Sequence, residues 1–243
     1  MMPTWQDKHK KHSARQMKNT ANNLQPWQNQ KNQFNLLTVP IRVHTGLGDG
    51  VDRYASLSPT LVRQIKELQD HKWAFEWNAP GKGSITYFDK DNKQNKILIN
   101  IQYNPQNDPD PSYAIQKEKY VTSILAHEVG HAQHEIQYDT SSMEACIASA
   151  MKGPGSEAEA VYNSVIVRKE ILKNSNNIVD IFNNGNDSLE EMNNFQKIME
   201  QNNRSDAINQ IGDLYSMHQV SSKPFPTYTK YYGDYCANIV KKH

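Results

Sequence analysis

Within Ser123-Ile-Leu-Ala-His-Glu-Val-Gly-His-Ala-Gln-His134, three histidines and a glutamate fall in eight residues of a chain that holds nine histidines in all. In a helix of 3.6 residues per turn, His127 and His131 lie one turn apart, so both imidazoles leave the same face and can converge on one ion. Glu128 stands about a hundred degrees further round. That angle makes it a poor co-ligand but places it to take a proton from a water held on the ion. Two neutral imidazoles, one carboxylate and a divalent ion together make the chemistry of metal-assisted hydrolysis. Gly130, beside a ligand and without a side chain, permits the close approach of another backbone or of a substrate.

Two protein ligands under-hold a catalytic zinc, which normally takes three and keeps a fourth position open. His134 is adjacent, but three ligands on one straight helix would span about 10 Å of rise, too far for one tetrahedral ion. Asp139 is a further alternative. The stronger candidates lie in Lys152-Gly-Pro-Gly-Ser-Glu-Ala-Glu-Ala-Val-Tyr-Asn163. There Gly153-Pro-Gly155 ends a short helix that begins with the capping pattern Ser141-Ser-Met-Glu144, and Ser156-Glu-Ala-Glu159 opens the next with the same pattern. Glu159 then has a capping task at the Ser156 amide. Glu157 has none and faces inward with Ala160 and Val161, where a buried carboxylate needs a partner. Glu157 is therefore assigned as third ligand, with Glu159 the alternative.

His127-Glu-Val-Gly-His131 followed by a glutamate in a Glu-x-Glu-Ala setting resembles the gluzincin branch of the zincin metallopeptidases. Glu157 lies 26 residues beyond His131. The metzincin pattern, with a glycine and a third histidine at fixed offsets, is not followed. The run from Glu157 to Arg168 is also similar to small bacterial metallopeptidase toxins, including cargo of contact-dependent secretion systems. The resemblance spans about 97–170, and only the zinc motif is specific. It implies that Glu128 is the general base and that an edge strand, Ile97-Leu-Ile-Asn-Ile101, aligns an extended peptide. It also implies an oxyanion donor, for which the C-terminal phenols Tyr228, Tyr231 or Tyr232, or the His218 imidazole, are candidates. The position where gluzincins often steady a ligand histidine is here Val161, with Asn163 a candidate substitute.

The elements that must position these groups follow from patterning. Residues 1–35 are polar, with a basic run at Lys8-His-Lys-Lys-His12, and read as a solvated lead-in. From 36 to 111 the chain is strand-rich. Leu36 to His44 is extended and β-branched, Gly46-Leu-Gly-Asp-Gly50 is a turn, and Ser58 to Leu68 is a helix with Leu61, Ile65 and Leu68 on one side. Trp73 to Trp77 is extended, and Ser84 to Phe88 pairs as a hairpin with Lys96 to Tyr103 across Asp89 to Asn95. That turn lacks the ligands of a calcium loop. A helix over about 113–137 carries the motif, and 112–243 is helical with Asn-rich joints. Strands first and helices later predict an α+β chain, and the resemblance implies that 36–243 is one zincin-like domain.

Composition narrows the function classes. Lys plus Arg number 27 against 26 Asp plus Glu, so no general pull toward nucleic acid arises. No apolar run suits a membrane span, and 1–20 lacks the apolar centre of a secretory signal. Cys146 and Cys236 could form one bridge in an oxidising compartment, which spacing alone leaves open. The expectation is a zinc metallopeptidase, a bacterial effector delivered without a signal peptide, that cuts peptidoglycan peptide stems or a target-cell protein. A secretion-machine carrier and a cognate immunity protein are the expected partners. The alternatives are a cytosolic housekeeping peptidase and a non-catalytic zinc-stabilised binding module, the latter needing a closing ligand such as His134 or Cys146.

Overall fold

The structure, a computed structural model, describes residues 35–89, 94–182, 188–220 and 227–241. The basic run at Lys8 to His12 and the middle of the turn from Asp89 to Asn95 lie outside these.

Three helices place the motif, and the second and third begin where the sequence supplies a side-chain cap. Helix α1 spans Asp49–Ala55. Helix α2, Pro59–Asp70, starts with the Ser58 hydroxyl accepting from Leu61 N at 3.1 Å and buries Leu61, Ile65 and Leu68 as expected. Strands β1 (Ala74–Asn78), β2 (Ile85–Tyr87) and β3 (Lys96–Asn100) follow. Helix α3, Pro111–Ala132, starts on proline after Asp110, whose carboxylate accepts from Ser112 N at 2.9 Å.

The remaining helices are α4 (Met143–Lys152), α5 (Glu157–Asn174), α6 (Ser188–Gln201), α7 (Arg204–Tyr215) and α8 (Tyr228–Val240). The result is a mixed α+β fold, mostly helical, with one small mixed sheet. No helix among the described residues is long and apolar enough to cross a membrane.

The hairpin forms as predicted, with Thr86 opposite Ile97, but the sheet order is β1-β3-β2. β1 pairs with β3 in parallel. This corrects the expectation that Ile97 to Ile101 forms an edge. β3 is hydrogen-bonded on both sides, and Ile97 and Ile99 are fully buried, so the strand nearest α3 with an unpaired side among the described residues is β2.

Four further corrections concern local structure. Leu36 to His44 is not a strand: a short 3₁₀ turn covers Leu36–Thr38. The backbone beyond it bonds to side chains, Arg42 N to Ser56 Oγ at 2.8 Å and Thr45 N to the Asp52 carboxylate at 3.2 Å. Those bonds replace a ladder. The glycine turn does bend the chain, with Gly46 and Gly48 at φ of 81° and 120°, but α1 begins inside it at Asp49. The cap of α4 is Ser142, accepting from Ala145 N at 3.1 Å, rather than Ser141. Helix α3 stops at Ala132 and not at about 137. There the chain turns so that the His134 carbonyl packs on Gly155, where a Cβ would stand 2.0 Å from that oxygen.

The core lies between α3 and α5. They cross at Gly130, where an added Cβ would meet Ala160 Cα at 2.7 Å and Asn163 Cβ at 3.0 Å. The close approach anticipated at Gly130 is therefore that of a helix backbone. Val161 and Val165 of α5 face Phe195 of α6 and Ile208 and Ile211 of α7. A disulfide joins Cys146 of α4 to Cys236 of α8 with Cα atoms 5.9 Å apart.

Candidate metal centre

The α3–α5 crossing brings the first turn of α5 over the last turns of α3. His127 Nε2 and His131 Nε2 are 3.2 Å apart, and Glu157 Oε2 stands 3.3 Å from the first and 3.4 Å from the second. Four ligands at roughly 2.0–2.2 Å around a tetrahedral zinc lie about 3.3–3.6 Å from one another. The three atoms thus form one face of such a tetrahedron. Among the described residues they are the one His/Cys/Asp/Glu group spaced to hold an ion.

The donor chemistry also fits. His131 Nδ1 lies 2.7 Å from the Gly155 carbonyl oxygen. A carbonyl only accepts, so Nδ1 carries the hydrogen and the neutral ring presents its Nε2 lone pair to the triad. Glu157 Oε1 accepts from the Tyr232 hydroxyl at 2.7 Å. Its Oε2 is buried and has no hydrogen-bond partner, an unsatisfied oxygen aimed where two imidazole nitrogens also point.

Glu128 occupies a different surface of α3 and is 7% exposed. Thr86 of β2 holds it: the hydroxyl lies 2.8 Å from Glu128 Oε2 and 2.7 Å from the Glu128 carbonyl oxygen. The candidate base is thereby tied to the sheet instead of to the triad.

The other predicted groups fall as follows. Glu159 does not close a capping box. Ser156 Oγ accepts from Glu159 N at 3.4 Å, but the Glu159 carboxylate pairs with Arg204, whose Nη1 is 2.8 Å away. His134 is exposed past the end of α3, and Asp139 is exposed with its carboxylate on Ser141 N. Neither joins the triad. Val161 is core. Asn163 does not reach a histidine: its amide donates to the Ala126 carbonyl at 2.7 Å and accepts from Gln64 Nε2 at 2.8 Å. It braces α3 just ahead of His127, and the Gly155 carbonyl does the steadying expected of it.

The aromatic candidates form a wall around Glu157. Tyr228, Tyr231 and Tyr232 pack on Ala150 and Met151. Burial, then the Glu157 charge, pushes the Tyr228 and Tyr231 phenols up, so both keep their protons at neutral pH. His218 is engaged with Glu191, and its ring lies tilted with its centroid 4.8 Å from that of Tyr215.

Tyr215, absent from the sequence candidates, is the phenol whose ring lies 6.1 Å from His127 and 4.8 Å from Tyr228. Burial raises its pKa first, then the Glu157 charge, with smaller contributions from Glu191 and Glu128 and a hydrogen bond with Tyr228 acting the other way. The aromatic pair Tyr215 and His218 at helical spacing was the signal available.

Charge within the triad predicts a pH profile for metal-free protein. Burial pulls the His131 pKa down, but the charges of Glu157 and Glu128 outweigh it and lift the pKa from 6.5 to about 9. Burial acts to raise Glu157, and the two histidines overcome it, holding the carboxyl well below its ordinary 4.5. A raised histidine stabilises fully below 6.5 and stops doing so as pH rises through about 9. A depressed carboxyl stabilises above 4.5 and is lost as pH falls through its lowered value. The thermal midpoint of metal-free protein should therefore decline between pH 6.5 and 9. The zinc-induced rise in midpoint should grow over the same interval, because metal and proton compete for His131. A His131→Asn chain whose midpoint declines equally would refute the assignment.

Compared with protein-family models, with curated proteins and with solved structures, the chain matches none.

Proposed function

We propose that this chain is a zinc metallopeptidase of zincin-like architecture, a bacterial effector that hydrolyses the peptide stems of peptidoglycan. The observation that carries the reading is the 3.2–3.4 Å triangle of His127, His131 and Glu157 beside a separately tethered Glu128. Zinc bound there supplies a polarised amide carbonyl and an acidified water. Glu128 takes the proton of the attacking water and passes it to the departing nitrogen. Thr86 keeps that carboxylate in place. The protonated phenols of Tyr228, Tyr231 and Tyr215 supply donors for the developing oxyanion. An extended peptide finds its backbone partners on β2, which among the described residues pairs with β3 alone.

The disulfide supports a target in an oxidising compartment, such as the periplasm where peptide stems lie, over a cytosolic one. It weighs equally against a cytosolic housekeeping role. A secretion-machine carrier and an immunity protein are the partners such an effector needs. A structural zinc module would close its fourth position, yet His134 is exposed elsewhere and Cys146 is committed to the disulfide.

The test incubates zinc-loaded protein with intact sacculi and, separately, with an unfolded protein, beside chelated and zinc-restored samples, and reads products by mass spectrometry. New stem fragments that vanish on chelation and return with zinc are expected. Cleaved protein with untouched sacculi would move the substrate to proteins, and no product from either would refute the peptidase reading.

A further inference from the structure

Helix α8 has 13 residues, and two of them, Tyr232 and Cys236, are buried. They lie one turn apart and do different things. Tyr232 donates to Glu157 Oε1, and Cys236 is bonded to Cys146 of α4, the helix against which α8 chiefly packs. The start of α8 is tied to the end of α7 through Tyr228 N on the His218 carbonyl and Thr229 N on the Ser216 carbonyl, both at 3.0 Å. Further along, Lys230 and Asp234 pair with each other on the exposed side. Tyr228, Tyr231 and Tyr232 pack on Ala150 and Met151, and the bond at Cys236 is the covalent restraint that fixes the Tyr232 turn of the helix to α4.

Tyr232 decides which oxygen of Glu157 is a ligand. With Oε1 occupied by the hydroxyl, Oε2 alone is left to the imidazoles, and the carboxylate cannot rotate away without stranding a buried phenol.

We infer that Tyr232 is a positioning residue for Glu157 and that the Cys146–Cys236 disulfide keeps it there, so that the zinc site is fully formed only in the oxidised chain. This rests on the metal reading proposed above. A dithiol reductant gives two electrons and two protons to the bridge, leaving two cysteine thiols and its own disulfide. Nothing covalent then holds the Tyr232 turn on Glu157. The protein would take up zinc tightly after reaching an oxidising compartment and weakly in the reducing cell that makes it.

Zinc affinity, read by competition with a chromophoric chelator, should fall roughly 10–100-fold in Tyr232→Phe. It should fall by a similar factor in the double variant Cys146→Ser/Cys236→Ser. The triple variant should lose no more than either, because both changes remove the same restraint. Wild-type affinity in the cysteine variant, or losses that multiply in the triple variant, would overturn the inference. Should the cysteine variant fail to fold, hydrogen exchange of the wild-type chain before and after phosphine reduction decides instead. Faster exchange in α8 with α3 and α5 still protected is expected, and unchanged protection of α8 overturns the proposal. A wild-type chain that binds no zinc at all would overturn the metal reading itself, a result distinct from these.

Discussion

Glu128→Gln is expected to lower amide turnover by roughly 10²–10⁴-fold while zinc content and thermal midpoint stay at wild-type values. Glutamine keeps the length and shape of the side chain, and its amide can still meet the Thr86 hydroxyl, so the tie between α3 and β2 survives. What it cannot do is accept a proton from water and return it to a leaving nitrogen. Because Glu128 lies outside the 3.2–3.4 Å triangle, its neutralisation removes no ligand. The measurement is turnover of the peptide identified from the sacculus digest, with zinc content by mass spectrometry on the same sample. A variant that unfolds or loses zinc would make Glu128 a structural residue, and one that retains full turnover would remove it from the mechanism.

Glu157→Ala and Glu159→Ala should separate just as sharply. Tetrahedral zinc sites bind with roughly 10–16 kcal/mol, so one ligand of four is worth on the order of 3 kcal/mol, about a hundredfold in affinity. Glu157→Ala also leaves the Tyr232 hydroxyl without its acceptor in a buried setting. Glu159→Ala breaks only the pair with Arg204, which is 60% exposed. That loss costs at most about 1 kcal/mol of stability and leaves zinc binding alone. Chelator competition on the two variants is the check. Intact zinc affinity in Glu157→Ala, with loss in Glu159→Ala, would reverse the ligand assignment.

Much of the site's frame could be read from local pattern. A four-residue interval on a helix fixes the shared face of His127 and His131, and Ser156 as the cap makes Glu157 the first residue of α5, with Glu159 two residues on. The hairpin of β2 and β3 is local in the same sense. What stayed hidden depends on contacts distant in sequence. β3 reads as an edge until β1 comes alongside it in parallel, a pairing that no turn between them announces. Leu36 to His44 has strand composition, but Ser56 and Asp52 capture its amides. The role of Tyr232 is legible only once α8 lies on α4. An aromatic helix face looks the same in sequence whether it fills a core or ends on a ligand.

Thr86 has one hydrogen and two acceptors, the Glu128 carbonyl and the Glu128 carboxylate. While the carboxylate is ionised the hydroxyl can satisfy one of them at a time. Once Glu128 carries a proton, that proton can be donated to Thr86 Oγ while the threonine hydrogen turns to the carbonyl, and both contacts are made at once. Every heavy atom can stay where it is in either state. A proton can therefore arrive and leave by the rotation of one hydroxyl, with no rearrangement of β2 or α3.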